Sequence, residues 1–170
     1  MAVVVLIPTF QRPETLQWSL QSVLRQETSR IDSKEELRVV ILNNDTSTKH
    51  LVEDSVDSAL RSAGKRGFRE VLIVHRDPPV LGVINFCRGL AENTQDGDIA
   101  FIHGDDDIML QGSLAKRWLV ARESSSALNI CMTKGGVFFS EKTRISMLIS
   151  EKQLMSSICC LVGDGRPKMT

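Results

Sequence analysis

The stretch that decides the fold stands at the amino end of the chain and reads Val3-Val4-Val5-Leu6-Ile7-Pro8-Thr9-Phe10-Gln11-Arg12. Its first half is a continuous apolar run rich in β-branched residues, which is typical of a strand buried on both faces of a parallel sheet. The run ends at Pro8, and Pro13 opens a helical pattern because proline suits the first turn of a helix. The sequence therefore predicts a strand over 3–7 and a helix over 13–26.

The same alternation of strand and helix continues along the chain. Apolar runs predict further strands over 37–42, 71–74 and 99–102, and helical periodicity predicts helices over 52–63 and 83–92 between them. These crossovers are long enough for parallel pairing. The predicted fold class is therefore α/β, with a mostly parallel, Rossmann-like sheet flanked by helices.

Composition limits the classes of partner that fit this chain. The 170 residues suffice for one domain with a real core, and 21 basic residues balance 21 acidic ones. Nucleic acid is therefore not expected as a partner, since its binders usually carry a basic stripe. No segment has the roughly 18 apolar residues that a membrane span needs.

The cysteines and the amino terminus suggest a location. The short apolar run at the start lacks the basic region of a signal peptide. Four cysteines without a C-x-x-C pair favour buried thiols in a reducing compartment. We expect a cytoplasmic protein, with peripheral contact at the inner face of the membrane still open. The cysteines are Cys87, Cys131, Cys159 and Cys160.

Polar residues follow three of the predicted strands. They lie at Pro8–Arg12 after the first strand, at Asn43–Ser47 after the second and at Gly104–Asp107 after the fourth. Parallel sheets bind ligands beyond the carboxyl ends of their strands, so these loops are expected to converge on one site.

The third of these loops carries three adjacent carboxylates, Asp105, Asp106 and Asp107. Like charges this close repel one another, and a divalent cation removes that cost. Mg²⁺ or Mn²⁺ prefers oxygen ligands and commonly combines protein carboxylates with phosphate oxygens. The triplet is thus a candidate metal site for a diphosphate, with a solvated acidic turn as the plainer interpretation.

Several motifs in order resemble glycosyltransferase family 2. The opening strand with Pro8-Thr9-Phe10-Gln11-Arg12 is similar to that family's Pro-Thr-Tyr-Asn-Arg start. The strand ending in Asn43, the stretch from Gly82 to Leu90, and Gly97-Asp98 followed by a strand and the acidic triplet resemble its next three motifs. The resemblance covers residues 3–114.

The resemblance implies a GT-A fold, a nucleoside-diphosphate sugar donor and an inverted glycosidic bond. In that family a metal bridges the D-x-D carboxylates and the diphosphate. It implies a single GT-A-like domain over 1–170, with a nucleotide-sugar-binding core over 1–114 and a short, divergent acceptor-side remnant over 115–170. The residues it suggests for donor binding are Pro8, Thr9, Phe10, Arg12, Asn43, Asp45, Gly82, Arg88 and Asp105.

Some positions depart from the family pattern. Asn43 stands where the family usually has an aspartate that contacts the nucleobase, and Gly104 occupies the usual first acid of D-x-D. Asp106 is then the best metal ligand. The family's catalytic base is a carboxylate, and the candidates here are Glu141 and Glu151 by default. Glu151 also fits the first turn of a helix that begins near Ser150.

Several alternatives remain open for individual residues. Arg12 and Arg88 suit a phosphate or an ordinary surface, and Asp45 suits ligand binding or a helix cap. His103 precedes the triplet and suits either a group behind the metal ligands or a satisfied histidine at a strand end. Residues 129–133 and 137–139 are weaker strand candidates.

Three functions are compatible with these patterns. The first is a metal-dependent inverting glycosyltransferase whose acceptor is a glycan, a lipid or a small molecule. The second is a truncated or inactive module that binds a sugar nucleotide without turnover. The third is another metal-dependent nucleotide enzyme such as a nucleotidyltransferase, which is disfavoured because the loop 8–12 has no glycine. A homodimer is conceivable if the shortened acceptor side leaves a face exposed.

Overall fold

The computed structural model describes residues 1–123. The elements in this part are β1 (Ala2–Thr9), α1 (Pro13–Leu24), β2 (Glu36–Asn43), a 3-10 turn (Thr46–Thr48), α2 (Lys49–Ala63), β3 (Phe68–His75), α3 (Gly82–Asn93), β4 (Ile99–Ile102) and α4 (Ser113–Glu123). The strands predicted over 129–133 and 137–139, the helix predicted near Ser150, and Glu141 and Glu151 lie outside the described residues.

The four described strands form one parallel sheet in the order β3-β2-β1-β4. The predicted α/β class with a parallel, Rossmann-like sheet is thereby confirmed. The chain steps outward from β1 to β2 and β3, then returns to place β4 on the other side of β1. This reversal makes a topological switch point between β1 and β4, where such sheets open a crevice beyond their carboxyl ends.

The sheet is covered on both faces, as the apolar opening run predicts. Val3, Val5 and Ile7 join a core that includes the buried faces of α1 and α2. Val4 and Leu6 point the other way, into a second core that α3 closes. Because β1 lies centrally with both faces buried, its sequence needs no alternation of polar and apolar residues.

Strand β1 continues past the proline at which its end was expected. Pro8 lies in register with Leu42 of β2, and the strand ends at Thr9. The Leu6 carbonyl accepts a bond from the His103 backbone N–H on the β4 side, so Pro8, two residues later, faces the same side. The β4 pairing has already ended at Ile102, so the N–H that proline lacks had no strand partner to lose.

Close packing sets the position of α3 above the sheet. Gly89 lies against the side chain of Leu42, and a Cβ at Gly89 would stand 2.3 Å from the Leu42 Cδ1 atom. Leu42 is fully buried in β2. Glycine at this position therefore lets α3 approach the sheet closely, and α3 begins at the sheet edge where the predicted loops meet.

The described helices bear on two expectations from the sequence, that the cysteines are buried and that no segment spans a membrane. Cys87 is exposed on α3, so the expectation of a buried thiol is wrong there. The reason is that α3 turns Phe86, Gly89 and Leu90 toward the sheet and Cys87 away from it. Among the helices of residues 1–123, none is long and apolar enough to cross a membrane.

Candidate functional site

A cavity of about 460 Å³ opens at the carboxyl ends of the central strands. The loop after β1, the loop after β2, the start of α3 and the loop after β4 all contribute to its wall. The lining residues are Pro8, Thr9, Phe10, Gln11, Arg12, Asn44, Gly82, Asn85 and Asp105. Three loops that the sequence places at one sheet edge therefore do meet around one space.

Asp105 is held in the wall of this cavity by Thr9, at the end of the neighbouring strand β1. The Thr9 hydroxyl donates a 2.7 Å hydrogen bond to Asp105 Oδ2, and both residues are buried. Burial raises the pKa of the Asp105 carboxyl above its ordinary value, while the hydrogen bond from Thr9 opposes the rise. A cation beside Asp105 would favour the ionised form of this carboxyl.

Arg12 supplies a cation at that place. Its Nη1 atom lies 2.7 Å from Asp106 Oδ2 and 3.7 Å from Asp105 Oδ1. One positively charged nitrogen is thus shared between two carboxylates. Asp105 and Asp106 therefore converge on one atom of Arg12, a residue that also lines the cavity.

The positions of these carboxylates show whether the acidic triplet suits a divalent cation. Residues 1–123 contain no ready-made group of three or more metal-ligating side chains. Two carboxylates that already share one cationic atom nevertheless fit Mg²⁺ or Mn²⁺, because one or two protein carboxylates plus substrate phosphates often complete such a site. The carboxylates with this geometry are those of Asp105 and Asp106.

Asp107 is arranged differently from the other two acids. Its Oδ2 atom would lie 2.7 Å from a Cβ at Gly104, so the Asp107 side chain folds back over that glycine. Of the three acids, only Asp105 is among the residues that line the cavity. The structure therefore brings Asp105 and Asp106 together at Arg12 and places the Asp107 carboxylate against Gly104.

Polar side chains on α1 and just after its end fix the backbone of the acidic loop. The Ser19 hydroxyl donates to the Gly104 carbonyl at 2.7 Å, and the Ser22 hydroxyl accepts from the Met109 N–H at 2.8 Å. The buried Gln26 amide donates to the Met109 carbonyl at 3.1 Å. These side chains hold both ends of the loop that carries the acids.

Asp45 joins the first two loops rather than lining the cavity. It accepts from the Ser47 N–H at 2.9 Å, capping the 3-10 turn before α2, and from Gln11 Nε2 at 2.8 Å. The hydrogen bonds from Ser47 and Gln11 hold the pKa of Asp45 below its ordinary value. Gln11 has a positive φ of 55°, a strained conformation for a residue other than glycine. The hydrogen bond to Asp45 therefore fixes the Gln11 side chain at the point where the loop turns.

The two asparagines after β2 have different surroundings. Asn43 is fully buried, and its Nδ2 atom donates to the Asp45 carbonyl at 2.8 Å and lies 3.1 Å from His75 Nδ1. Asn44, and not Asn43, lines the cavity. The Asn44 amide makes two bonds to the backbone of Val80, at 2.6 and 3.0 Å, and so holds the segment that leads into α3.

The amino end of α3 faces the cavity through Gly82 and Asn85. Within the described part of the chain, no side chain caps this end at Leu81. The first backbone N–H groups of a helix lack partners inside it and carry partial positive charge. Asn85 is buried and donates to the Leu42 carbonyl at 2.9 Å, which fixes the first turn of α3 to the sheet.

Two other predicted residues lie away from the cavity wall. Arg88 is exposed on α3, where it adds to the effect of the Arg76 hydrogen bond that lowers the pKa of Glu92. His103 is buried at the end of β4, and its burial lowers its pKa. Its Nε2 atom has no hydrogen-bond partner among residues 1–123. The structure therefore places Arg88 on the outer surface of α3 and His103 behind the acidic loop.

Three lining residues were missed by the sequence interpretation. Gln11, Asn44 and Asn85 were not among the predicted site residues, although all three line the cavity. The adjacent asparagines at the end of β2 were a signal for Asn44. Asn85 reads in sequence as an ordinary polar helix residue, and only its contact with the Leu42 carbonyl reveals its position.

Comparison with solved structures finds four chains that are similar to this one. No protein-family signature and no curated protein matches this chain. One of the four similar chains is that of the crystal structure of S. aureus TarS, with a TM-score of 0.49 and 17% sequence identity. The similarity covers 72% of this chain and 20% of TarS, so the chain spans about a fifth of that protein.

Proposed function

We propose that this chain binds a nucleoside-diphosphate sugar through Mg²⁺ or Mn²⁺ and transfers the sugar to an acceptor with inversion. The observation that carries the proposal is the convergence of Asp105 and Asp106 on one cationic atom of Arg12, a residue that lines the cavity with Asp105. The cavity lies at the switch point of a parallel sheet, where such folds bind nucleotides. The order of motifs that resembles glycosyltransferase family 2 supports the same function.

Asp105 and Asp106 are the residues that would hold the cation. A divalent cation bound there would neutralise the charge that grows on the diphosphate as the bond to the sugar breaks. Thr9 orients Asp105 for this role through its 2.7 Å hydrogen bond. Ser19 fixes the backbone of the loop at Gly104, so the carboxylates need little rearrangement when the donor binds.

Further groups of the chain suit the rest of a nucleotide. Phe10 lines the cavity with about half of its surface exposed, and an aromatic ring in that position can stack on a nucleobase. The uncapped amino end of α3 presents its partial positive charge to the same space, which favours a phosphate. Aromatic, cationic and carboxylate groups thus surround one cavity.

The transfer step needs a base that takes the proton of the acceptor hydroxyl. Glu141 and Glu151 remain the candidates for this role, and the glycan, lipid or small-molecule nature of the acceptor remains part of the proposal. Inversion follows if the hydroxyl attacks the sugar from the face opposite the diphosphate.

Binding of a sugar nucleotide without turnover is the second candidate function. Asp105 is the only carboxylate among the described residues that line the cavity, and Thr9 and Arg12 already engage it. No free carboxylate in residues 1–123 therefore lines the cavity as a base. Release of sugar from a bound donor, to an acceptor or to water, would exclude this second candidate.

Calorimetric titration of UDP, GDP and dTDP with and without Mn²⁺ tests the donor site. We expect one nucleotide to bind only with the metal, and Asp105→Asn and Asp106→Asn to weaken that binding at least about tenfold. Asp57→Asn on the exposed side of α2 is the matched control and should bind as the wild type does. Metal-independent binding, or equal binding by the Asp105 and Asp106 variants, would count against the proposal.

A further inference from the structure

We infer that Arg12 is an exchangeable cation, which pairs with Asp106 and Asp105 before the metal binds and moves onto the donor diphosphate afterwards. This inference rests on the proposed function, because it assigns Arg12 two successive partners at the same site. Arg12 would hold the acidic loop in a binding-competent form and then become a donor ligand.

The first step of the argument is that Arg12 and a metal compete for the same atoms. Arg12 Nη1 hydrogen-bonds to Asp106 Oδ2 at 2.7 Å and lies 3.7 Å from Asp105 Oδ1. A cation held by both carboxylates would occupy the region of that nitrogen. Like charges at such distances repel, so Arg12 and a divalent cation cannot both stay there.

The second step is that the existing pair separates easily. The side chains of Arg12 and Asp106 are 56% and 54% exposed. Exposed ion pairs contribute little to stability, because water replaces the partner of each charge at small cost. A metal can therefore displace Arg12 from Asp106 at small cost. The bond between Thr9 and Asp105, by contrast, is buried and stays in place.

The third step is that Arg12 has a second place to bind. Arg12 lines the cavity itself, directly before Pro13 opens α1. Its long side chain can turn from the mouth into the cavity while its backbone stays in place. A guanidinium matches the geometry of a phosphate, so a metal-bound diphosphate in the cavity offers a partner that replaces Asp106.

Arginine side-chain NMR follows the exchange directly. The Arg12 Nε–Hε signal, assigned by its loss in Arg12→Lys, should shift when Mg²⁺ is added to the nucleotide-free protein. It should shift again when the nucleoside diphosphate selected by calorimetry is added. An Arg12 signal that stays unchanged through saturating Mg²⁺ would overturn the exchange. Because the first step contains no nucleotide, it remains decisive if donor binding fails.

Metal and nucleotide affinities of Arg12→Gln supply a second test. Without nucleotide, we expect Mn²⁺ to bind about two- to fivefold tighter, because its competitor is gone. With Mn²⁺ saturating, we expect the nucleoside diphosphate to bind about tenfold weaker, because a charge-assisted bond is lost. Arg61→Gln, on the last turn of α2, is the matched control and should change neither affinity.

The size of the two effects, compared with Arg61→Gln, separates exchange from a general charge effect. Removing a distant positive charge also favours Mn²⁺ and disfavours the anionic nucleotide, but screening by water and salt keeps both changes small. Wild-type nucleotide affinity in Arg12→Gln would overturn the exchange while leaving the proposed function intact. Failure of the wild-type protein to bind any nucleotide would instead overturn the proposed function and the second half of the exchange together.

Discussion

The Thr9 hydroxyl donates a 2.7 Å hydrogen bond to the carboxylate of Asp105, a residue 96 positions later in the chain. Both side chains are buried where β1 and β4 end side by side. This bond joins the first loop of the sheet to the acidic loop. It exists because the chain returns from β3 and places β4 next to β1.

Replacing Thr9 should show how much the buried carboxylate depends on this bond. Thr9→Val keeps the shape and removes the donor, so Asp105 stays buried with one partner fewer. We expect a loss of about 1–3 kcal/mol in the free energy of unfolding, measured by urea denaturation. Thr9→Ser, which keeps the hydroxyl, should recover most of it. Equal stability of the valine and serine variants would contradict this account of the bond.

The serines on α1 should affect metal binding, because they hold the backbone of the acidic loop. Ser19→Ala with Ser22→Ala removes two side-chain bonds that position the acidic loop backbone. We expect Mn²⁺ affinity, measured by calorimetry, to fall several-fold, by about 1 kcal/mol, as the loop gains freedom. The control is Ser55→Ala, whose hydroxyl bonds only within α2 at the Leu51 carbonyl. If Ser55→Ala lost as much Mn²⁺ affinity as the double variant, the loss would not come from the acidic loop, and the prediction would fail.

Gly89 should be intolerant of a side chain because α3 lies so close to the sheet. In Gly89→Ala the new methyl group would meet Leu42 Cδ1 at 2.3 Å. We expect a net destabilisation of about 1–2 kcal/mol, since overpacking outweighs the better helix propensity of alanine. Thermal and urea unfolding of Gly89→Ala, Leu42→Ala and the double variant measure it. The double variant should be more stable than the sum of the single effects predicts, and strict additivity would argue against the contact.

Asp45 should make the stability depend on pH below its ordinary pKa of 3.8. Hydrogen bonds from Ser47 and Gln11 lower the pKa in the folded state, so the unfolded chain takes up the proton first. The contribution is therefore fully present above about pH 5 and is lost as the pH falls through the folded pKa. The gap in unfolding free energy between wild type and Asp45→Asn should shrink over that range. A gap that stays constant from pH 6 to about pH 3 would refute this assignment.

The sheet was predictable because its signals are local. The apolar run before Pro8 needs both faces covered, and the alternation of strands with long crossovers requires parallel pairing. The strand continued to Thr9 because the proline faces the side on which β4 has already ended. That fact depends on the order of the strands, which local patterns do not encode.

The site was predictable only where an unusual group of polar or charged residues follows a predicted strand. Three adjacent aspartates after a buried strand are conspicuous, and the residues from Pro8 to Arg12 follow another strand end. The sequence does not show that Asp107 folds back over Gly104 while Asp106 meets Arg12. It also does not show that Asn44, rather than the buried Asn43, lines the cavity. These distinctions arise from side-chain directions that only the folded chain fixes.

The most direct test of the central claim is to locate the metal in solution. Mn²⁺ titrated into the ¹⁵N-labelled protein broadens the amide signals of nearby residues. We predict broadening centred on Phe10, Gly82 and Asp105, stronger when one nucleoside diphosphate is present and reduced in Asp106→Asn. Broadening centred on the acidic surface of α2, at Asp54 and Asp57, or unchanged by every nucleotide, would contradict the claim that this cavity holds a metal-bound nucleotide.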